Sequence, residues 1–292
     1  MRVFVTGATG LIGSVVVPEL ITAGHEVLGL ARSDTSAKAL TAAGVSVLRG
    51  DLNDPESLRT GAAQSDGVIH LAFGDFNNFP KAIAEQTLAV ETFASALVDS
   101  GKSLVIASGI PVMSGRAATE QDPFLTEGPL GGRGRNAQTV LDLAERDVRS
   151  AVLRLPRSVH AAGERYGFAS VLLDAARRTG VSGYVGDGTQ RWPAVHRLDA
   201  AQLFRLVLED AAPGTVAHAV GDEGDTMRSI AETIGRQLNL PTEVVPAESF
   251  GFLGNVFGMD QPASSALTRE KFAWQPTHPS LLDDLQSGNY PA

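Results

Sequence analysis

The sequence predicts a doubly wound α/β fold, and three observations carry that expectation. The first is Thr6-Gly7-Ala8-Thr9-Gly10-Leu11-Ile12-Gly13, which follows the apolar run Val3 to Val5 and precedes Val16 and Leu20 at four-residue intervals from Ile12. That order reads as a strand, a glycine turn and a helix. The second is the alternation of short apolar runs with helical periodicity over residues 1–155, as in a parallel sheet covered on both faces. The third is that Arg32, Asp51, His70 and Ser108 stand where apolar runs end, at the rim where such sheets bind their ligands.

The glycine turn is a phosphate cradle by its chemistry. Glycine allows positive φ and lets an anion approach without meeting a Cβ. The helix that follows points unpaired N–H groups and a partial positive charge at that anion. Gly7, Thr9, Gly10, Leu11, Ile12 and Gly13 are therefore the expected contacts of a dinucleotide pyrophosphate, although glycines three apart depart from G-x-G-x-x-G. An ordinary βα turn without a ligand is the alternative.

Strands are expected at 2–6, 26–30, 45–49, 67–71, 103–107 and 150–155, with helices at 11–23, 36–43, 56–63, 79–99 and 136–148. Pro18 should bend the first helix or cost it about 3 kcal/mol. Beyond Pro156 helices follow the possible caps Asp199 and Asp225, and strands are expected at 183–185 and 216–220. The expected division is a Rossmann-type dinucleotide-binding domain over 1–155 and a mainly substrate-binding region over 156–292, with segments returning to the sheet.

Composition excludes several functions. A net charge of −9 argues against a general nucleic-acid or anionic-membrane surface. The absence of cysteine removes disulfides, thiolate metal sites and cysteine nucleophiles. The six histidines are scattered, with no H-E-x-x-H, so no metal is expected. No G-x-S-x-G nucleophile elbow is present. The first strand begins beside Met1, and no run nears the ~18 apolar residues of a membrane span. A cytoplasmic protein, monomer or homodimer, acting on a small molecule is the expectation.

At the end of the second strand a dinucleotide fold commonly places an acid on the ribose 2′-hydroxyl. Here Arg32 and Ser33 occupy that position. A guanidinium pairs with a 2′-phosphate, which points to NADP(H). Asp34 as a displaced ribose ligand is the alternative. Asp51-Leu52, His70-Leu71-Ala72-Phe73 and Ala107-Ser108-Gly109 end the next strands on the cofactor side.

Together the glycine turn, Asp51-Leu52, His70-Leu71-Ala72, Ser108, Leu153-Arg154-Leu155-Pro156 with Val159, Gly186-Asp187-Gly188 and His196-Arg197-Leu198-Asp199 resemble the extended short-chain dehydrogenases/reductases of the NAD-dependent epimerase/dehydratase type. The resemblance runs through essentially the full length. It implies that Asp51 and Leu52 contact adenine, Leu71, Ala72, Phe73 and Ala107 line the cofactor, Ser108 meets the reacting oxygen, and Pro156 and Val159 lie near nicotinamide. It departs at the family's tyrosine acid and the lysine four residues later. Tyrosines occur only at 166, 184 and 290, and no Tyr-x-x-x-Lys exists. The missing pair falls around Gly128 to Arg135, where Arg133 or Arg135 can replace a charge but neither can act as an acid.

Three activities follow. Hydride transfer can persist with Ser108 orienting a ketone and the proton coming from water, another residue or the substrate. A resemblance to an atypical branch containing an angucyclinone ketoreductase of simocyclinone biosynthesis makes an aromatic polyketide ketone one candidate substrate, within antibiotic biosynthesis. A cofactor-binding redox sensor and an epimerase with another acid–base pair are the alternatives. Met113, His160, Tyr166, Trp192 and His196 are the further substrate-side candidates. The histidines can equally be structural, Tyr166 a packing residue, Trp192 part of an apolar seam, and Ser108 a cap on the strand backbone.

Overall fold

The computed structural model describes residues 1–75, 78–129, 131–163 and 167–288. The first elements are β1 (Arg2–Thr6), α1 (Gly13–Thr22), β2 (Glu26–Ala31), α2 (Asp34–Ala42), β3 (Ser46–Arg49), α3 (Pro55–Ala63), β4 (Gly67–His70), α4 (Phe79–Leu97), β5 (Ser103–Gly109), α5 (Gly131–Asp142) and β6 (Arg149–Leu155). Then come β7 (Ser158–His160), α6 (Gly167–Thr179), β8 (Ser182–Tyr184), β9 (Arg191–His196), α7 (Arg197–Asp210), β10 (Thr215–His218), β11 (Asp222–Thr226), α8 (Met227–Leu238), β12 (Thr242–Val244), α9 (Gly254–Phe257), α10 (Ala266–Phe272) and α11 (Leu281–Gln286). Among the described residues no helix is long and apolar enough to cross a membrane.

The chain divides into two compact units. The first holds Met1–Ser108, Pro123–Arg154 and Ala201–Ala217; the second holds Gly109–Asp122, Leu155–Ala200 and His218–Ala292.

In the first unit a seven-stranded sheet has the order β10-β6-β5-β4-β1-β2-β3. β1 pairs in parallel with β2 on one side and β4 on the other, so the winding reverses there and opens a crevice at the strands' carboxyl ends. Local chemistry starts the covering helices. Ser33 and Ser36 form a capping box on α2. The Asp54 carboxylate accepts from the Glu56 and Ser57 N–H groups of α3, with Pro55 in the first turn. The core gathers Phe4, Leu58, Val68, Phe93, Leu104, Ile106 and Val152, all buried. Each such side chain contributes about 1.5–3 kcal/mol relative to exposure.

In the second unit β7 and β11 flank β9, and β8 pairs with β12. Trp192, Phe257, Leu173, Ile230 and Leu285 make its core. Several of these strands escape sequence patterning. β9 contains Pro193, and β11, Asp222–Thr226, is polar throughout and bulged where it pairs with β9. Two expected caps are also corrected. Asp225 lies within β11, and Thr226 is the residue whose hydroxyl accepts from Ser229 N–H to start α8. Asp199 lies inside α7, its carboxylate accepting from the Thr277 and His278 N–H groups. The first helix runs unbroken through Pro18.

Beneath the crevice, Thr6 ties β1 to β4. Its hydroxyl lies 2.7 Å from His70 Nδ1 and accepts from Ala72 N–H at 3.3 Å. The His70 ring meets Phe93 edge-on at 5.5 Å. Burial, with the Arg133 positive charge second, holds His70 down to about 4 from 6.5. His70 is therefore neutral when folded at neutral pH, whereas the unfolded chain takes up its proton below about 6.5. The stability contributed by neutral His70 is complete at pH 7 and is lost as pH falls toward 4. His70→Gln is expected to reduce the loss of unfolding free energy between pH 7 and pH 4.5 by about 2–3 kcal/mol, measured by urea titration at the two pH values. An unchanged pH dependence would contradict the assignment.

Candidate functional site

The first unit builds a rim from the ends of β1, β2, β3, β4 and β5. Gly7 has φ +70°, and a Cβ on it would lie 2.7 Å from Ala72 N. A Cβ on Gly13 would lie 2.0 Å from Gly7 O. The turn thus closes against β4 and against itself only because both side chains are missing. Gly10 N–H donates to Gly7 O at 2.9 Å, and α1 begins at Gly13 with no side-chain cap from Ile12 and no acid in its first turn. Thr9 and Gly10 are exposed, Leu11 and Ile12 half-buried. A tight turn feeding an uncapped helix N-terminus fits an anion. The cradle that a Cβ would fill suits a dinucleotide pyrophosphate.

At the end of β2, Arg32 extends into solvent, its side chain 84% exposed and its Nε 3.9 Å from Asp51 Oδ2. Ser33 caps α2. Asp34, the alternative ribose ligand, is engaged by Arg49, whose Nη2 donates to Asp34 Oδ1 at 2.8 Å while Nη1 donates to Ser33 O. Register pairs Arg49 of β3 with Ala31 of β2, so two guanidiniums flank Ser33. Arg49 has no local sequence signal, because only strand register brings it beside Arg32. Asp51 Oδ1 accepts from the Asn53 N–H and side-chain amide, and Leu52 packs on the core.

Leu71, Ala72 and Phe73 follow β4, half-buried. Ser108, 6% exposed, stands near the end of β5. Its hydroxyl makes no hydrogen bond with the described residues, so it does not cap the strand backbone. Beside it Ala107 O accepts from Arg133 Nη2 at 3.4 Å, and the Arg133 guanidinium lies 4.7 Å above the Phe73 ring.

In the second unit Pro156 is buried and Val159 half-buried at β7, and Met113 packs on Ile110, Ala118, Val220 and Ala263. Trp192 is corrected as a cover for a planar ligand: it is fully buried against Phe168 and Phe257. Tyr166 lies outside the described residues. Tyr184 is buried, with Arg228 over its ring.

Three of the second unit's histidines form a column that the sequence scatters. His160 Nδ1 lies 2.6 Å from Asp284 Oδ2, both buried. Its ring meets His196 edge-on at 5.6 Å, and His196 stacks on His278 at 4.7 Å and 9°. His278 Nδ1 lies 2.8 Å from Asp199 Oδ1. Burial first, and His160 next, push His196 down to about 4. Burial, aided by Asp222, pushes Asp225 up to about 6. The ligand atoms of His196, Asp199 and His278 lie within 4.8 Å of one another, a spacing that admits a metal ion. His196 Nδ1 already accepts from Leu198 N–H at 3.3 Å, and the Asp199 carboxylate already accepts three bonds. The column therefore suits hydrogen bonding better than coordination.

Comparison with known proteins agrees with this architecture. The family model described as "NAD dependent epimerase/dehydratase family" matches residues 3–221. An uncharacterized protein of Schizosaccharomyces pombe is 41% identical over 99% of this chain and 100% of its own length. A 2-alkyl-3-oxoalkanoate reductase of Stenotrophomonas maltophilia is 26% identical over 73% of this chain and 67% of its own. Among solved structures, UDP-glucose 4-epimerase of Thermus thermophilus in complex with NAD superposes with a TM-score of 0.78 at 22% identity, covering 98% of this chain and 97% of that one. The chain belongs to the NAD-dependent epimerase/dehydratase family of Rossmann-fold proteins, whose members are NAD(P)-dependent oxidoreductases and epimerases.

Proposed function

We propose that the protein is an NADP(H)-dependent carbonyl reductase in which Ser108 polarises a ketone without a tyrosine acid. When bound, the nicotinamide supplies a hydride to the carbonyl carbon. The single observation that carries the reading is the Ser108 hydroxyl, without a hydrogen bond to the described residues and standing at the end of β5 on the same rim as the glycine cradle. It donates to the carbonyl oxygen and stabilises the charge that develops there. The oxygen then takes its proton from water or from a hydroxyl of the substrate. Of the described tyrosines only Tyr184 remains, buried in the second unit's core.

Orientation alone supplies much of a barrier reduction, whereas a general acid is worth ~10²- to 10⁴-fold, so turnover survives the missing acid. The reductase name of the Stenotrophomonas relative supports a ketone substrate. An aromatic polyketide ketone with a hydroxyl bonded to its own carbonyl fits the same chemistry. For the cofactor, Asp34 held by Arg49 leaves Arg32, Ser33 and Arg49 facing the place of a 2′-phosphate.

Arg32→Ala is expected to weaken NADPH binding about 10- to 100-fold by loss of a charge-assisted bond, with NADH little changed; fluorescence titration with both cofactors checks it, and equal losses would refute the 2′-phosphate assignment. Ser108→Ala is expected to lower kcat about 100-fold on whichever aromatic ketone of a screened panel turns over. Stopped-flow decay of the nicotinamide absorbance reads it, and an unchanged kcat would remove Ser108 from the reaction.

A further inference from the structure

The first turn of α5, in the stretch where the resemblance puts the absent tyrosine and lysine, carries a cation whose surroundings are unusual for this chain. Gly131, Gly132 and Gly134 let that turn press against its neighbours. A Cβ at Gly132 would lie 2.3 Å from Ile83 Cγ2, and one at Gly134 would lie 2.0 Å from Leu125 O. The turn's other side chains in this stretch are Arg133 and Arg135. Arg135 is spent on structure, donating to Thr126 O. Arg133 instead points to the rim, where its guanidinium lies over Phe73 and one nitrogen donates to Ala107 O at the long distance of 3.4 Å.

A guanidinium has five N–H donors, and a half-buried one without an anion carries a desolvation cost. Other guanidiniums of this chain meet that cost with carboxylates: Arg191 with Asp260, Arg116 with Asp122, and Arg205 with Glu19 and Glu209. Arg157, which has no carboxylate, spends its donors on the Gln261 side chain, Val256 O and Met259 Sδ. Among the described residues nothing comparable meets Arg133. Its burial alone pulls it down to about 10 from 12.5, and its charge is felt at His70. The guanidinium sits at the Ala107 carbonyl, one residue before Ser108 on β5.

We propose that Arg133 binds an anionic oxygen of the substrate, so that the carbonyl compound this protein takes is an oxo acid or the enolate of a 1,3-dicarbonyl, with the anion a few bonds from the ketone. The guanidinium receives the anion, Phe73 fixes the guanidinium plane, and Ser108 receives the ketone oxygen. This rests on the carbonyl-reductase reading for the ketone's place but concerns a binding preference that exists without turnover.

The probes are phenylglyoxylate and 3-oxo-3-phenylpropanoate, each beside its methyl ester, titrated calorimetrically into the NADP⁺-saturated protein. At least one acid is expected to bind about 10- to 100-fold tighter than its ester. Arg133→Met is expected to erase that preference by weakening the acid, with ester and NADP⁺ affinities kept within about threefold, and Arg133→Lys to retain part of it. A thermal melt shows that each variant is folded, and Arg133→Lys serves if Arg133→Met is not. Equal affinity for acid and ester in the unaltered protein, equal loss for both in the variant, or a comparable loss of NADP⁺ affinity would overturn the proposal. Absence of NADPH oxidation with a preference for the acid intact would count against the reductase reading alone.

Discussion

Everything on the first unit's rim depends on how closely the β1–α1 turn approaches the strand beside it. Gly7 lies so near the Leu71–Ala72 backbone that no side chain fits between them, and Gly13 lies nearer still to Gly7 O. That approach sets α1's N-terminus at the sheet's reversal point. The Thr6 hydroxyl, bonded to Ala72 N–H and His70, holds the β4 end of the contact. A larger residue at either glycine would move the helix end and the β4 loop apart, and the anion site with them.

Around that fixed point the rim carries three guanidiniums, two of them beside carboxylates, Arg32 by Asp51 and Arg49 by Asp34. Arg32 and Arg49 stand at one end of it, and Arg133 stands beside Ser108 at the other. A net charge of −9 supplies no general attraction for anions, so the selectivity proposed above for a 2′-phosphate and an anionic substrate rests on these few placed guanidiniums. In the proposed reading Arg133 supplies a charge in place of the lysine that the resemblance implies, and a guanidinium holds its proton permanently. A site so built favours binding and charge stabilisation over proton delivery, which is the chemistry proposed for Ser108.

Much of this was legible in the sequence because it is local. Six strands of the first unit lie where their apolar runs place them, and the cradle follows from the spacing of three glycines. The start of α5 was not legible, since Gly131, Gly132 and Gly134 read as loop by propensity, yet packing against the 124–126 segment and Ile83 makes them helix. Arg49 beside Ser33 follows from strand register, and the His160–His196–His278 column from the fold of the second unit. Neither leaves a mark at short range. β11 was hidden for a different reason: a polar strand stabilised by its pairing with β9 has no apolar alternation to detect.

The central claim is that a dinucleotide lies with its pyrophosphate on the Gly7–Gly13 turn. A crystal structure of the protein grown with saturating NADP⁺ tests it most directly. The account predicts pyrophosphate oxygens within hydrogen-bond distance of the backbone N–H groups of residues 11–13 and a 2′-phosphate against Arg32. An ordered NADP⁺ seated on another surface, or a turn with no nucleotide density at saturation, would contradict it.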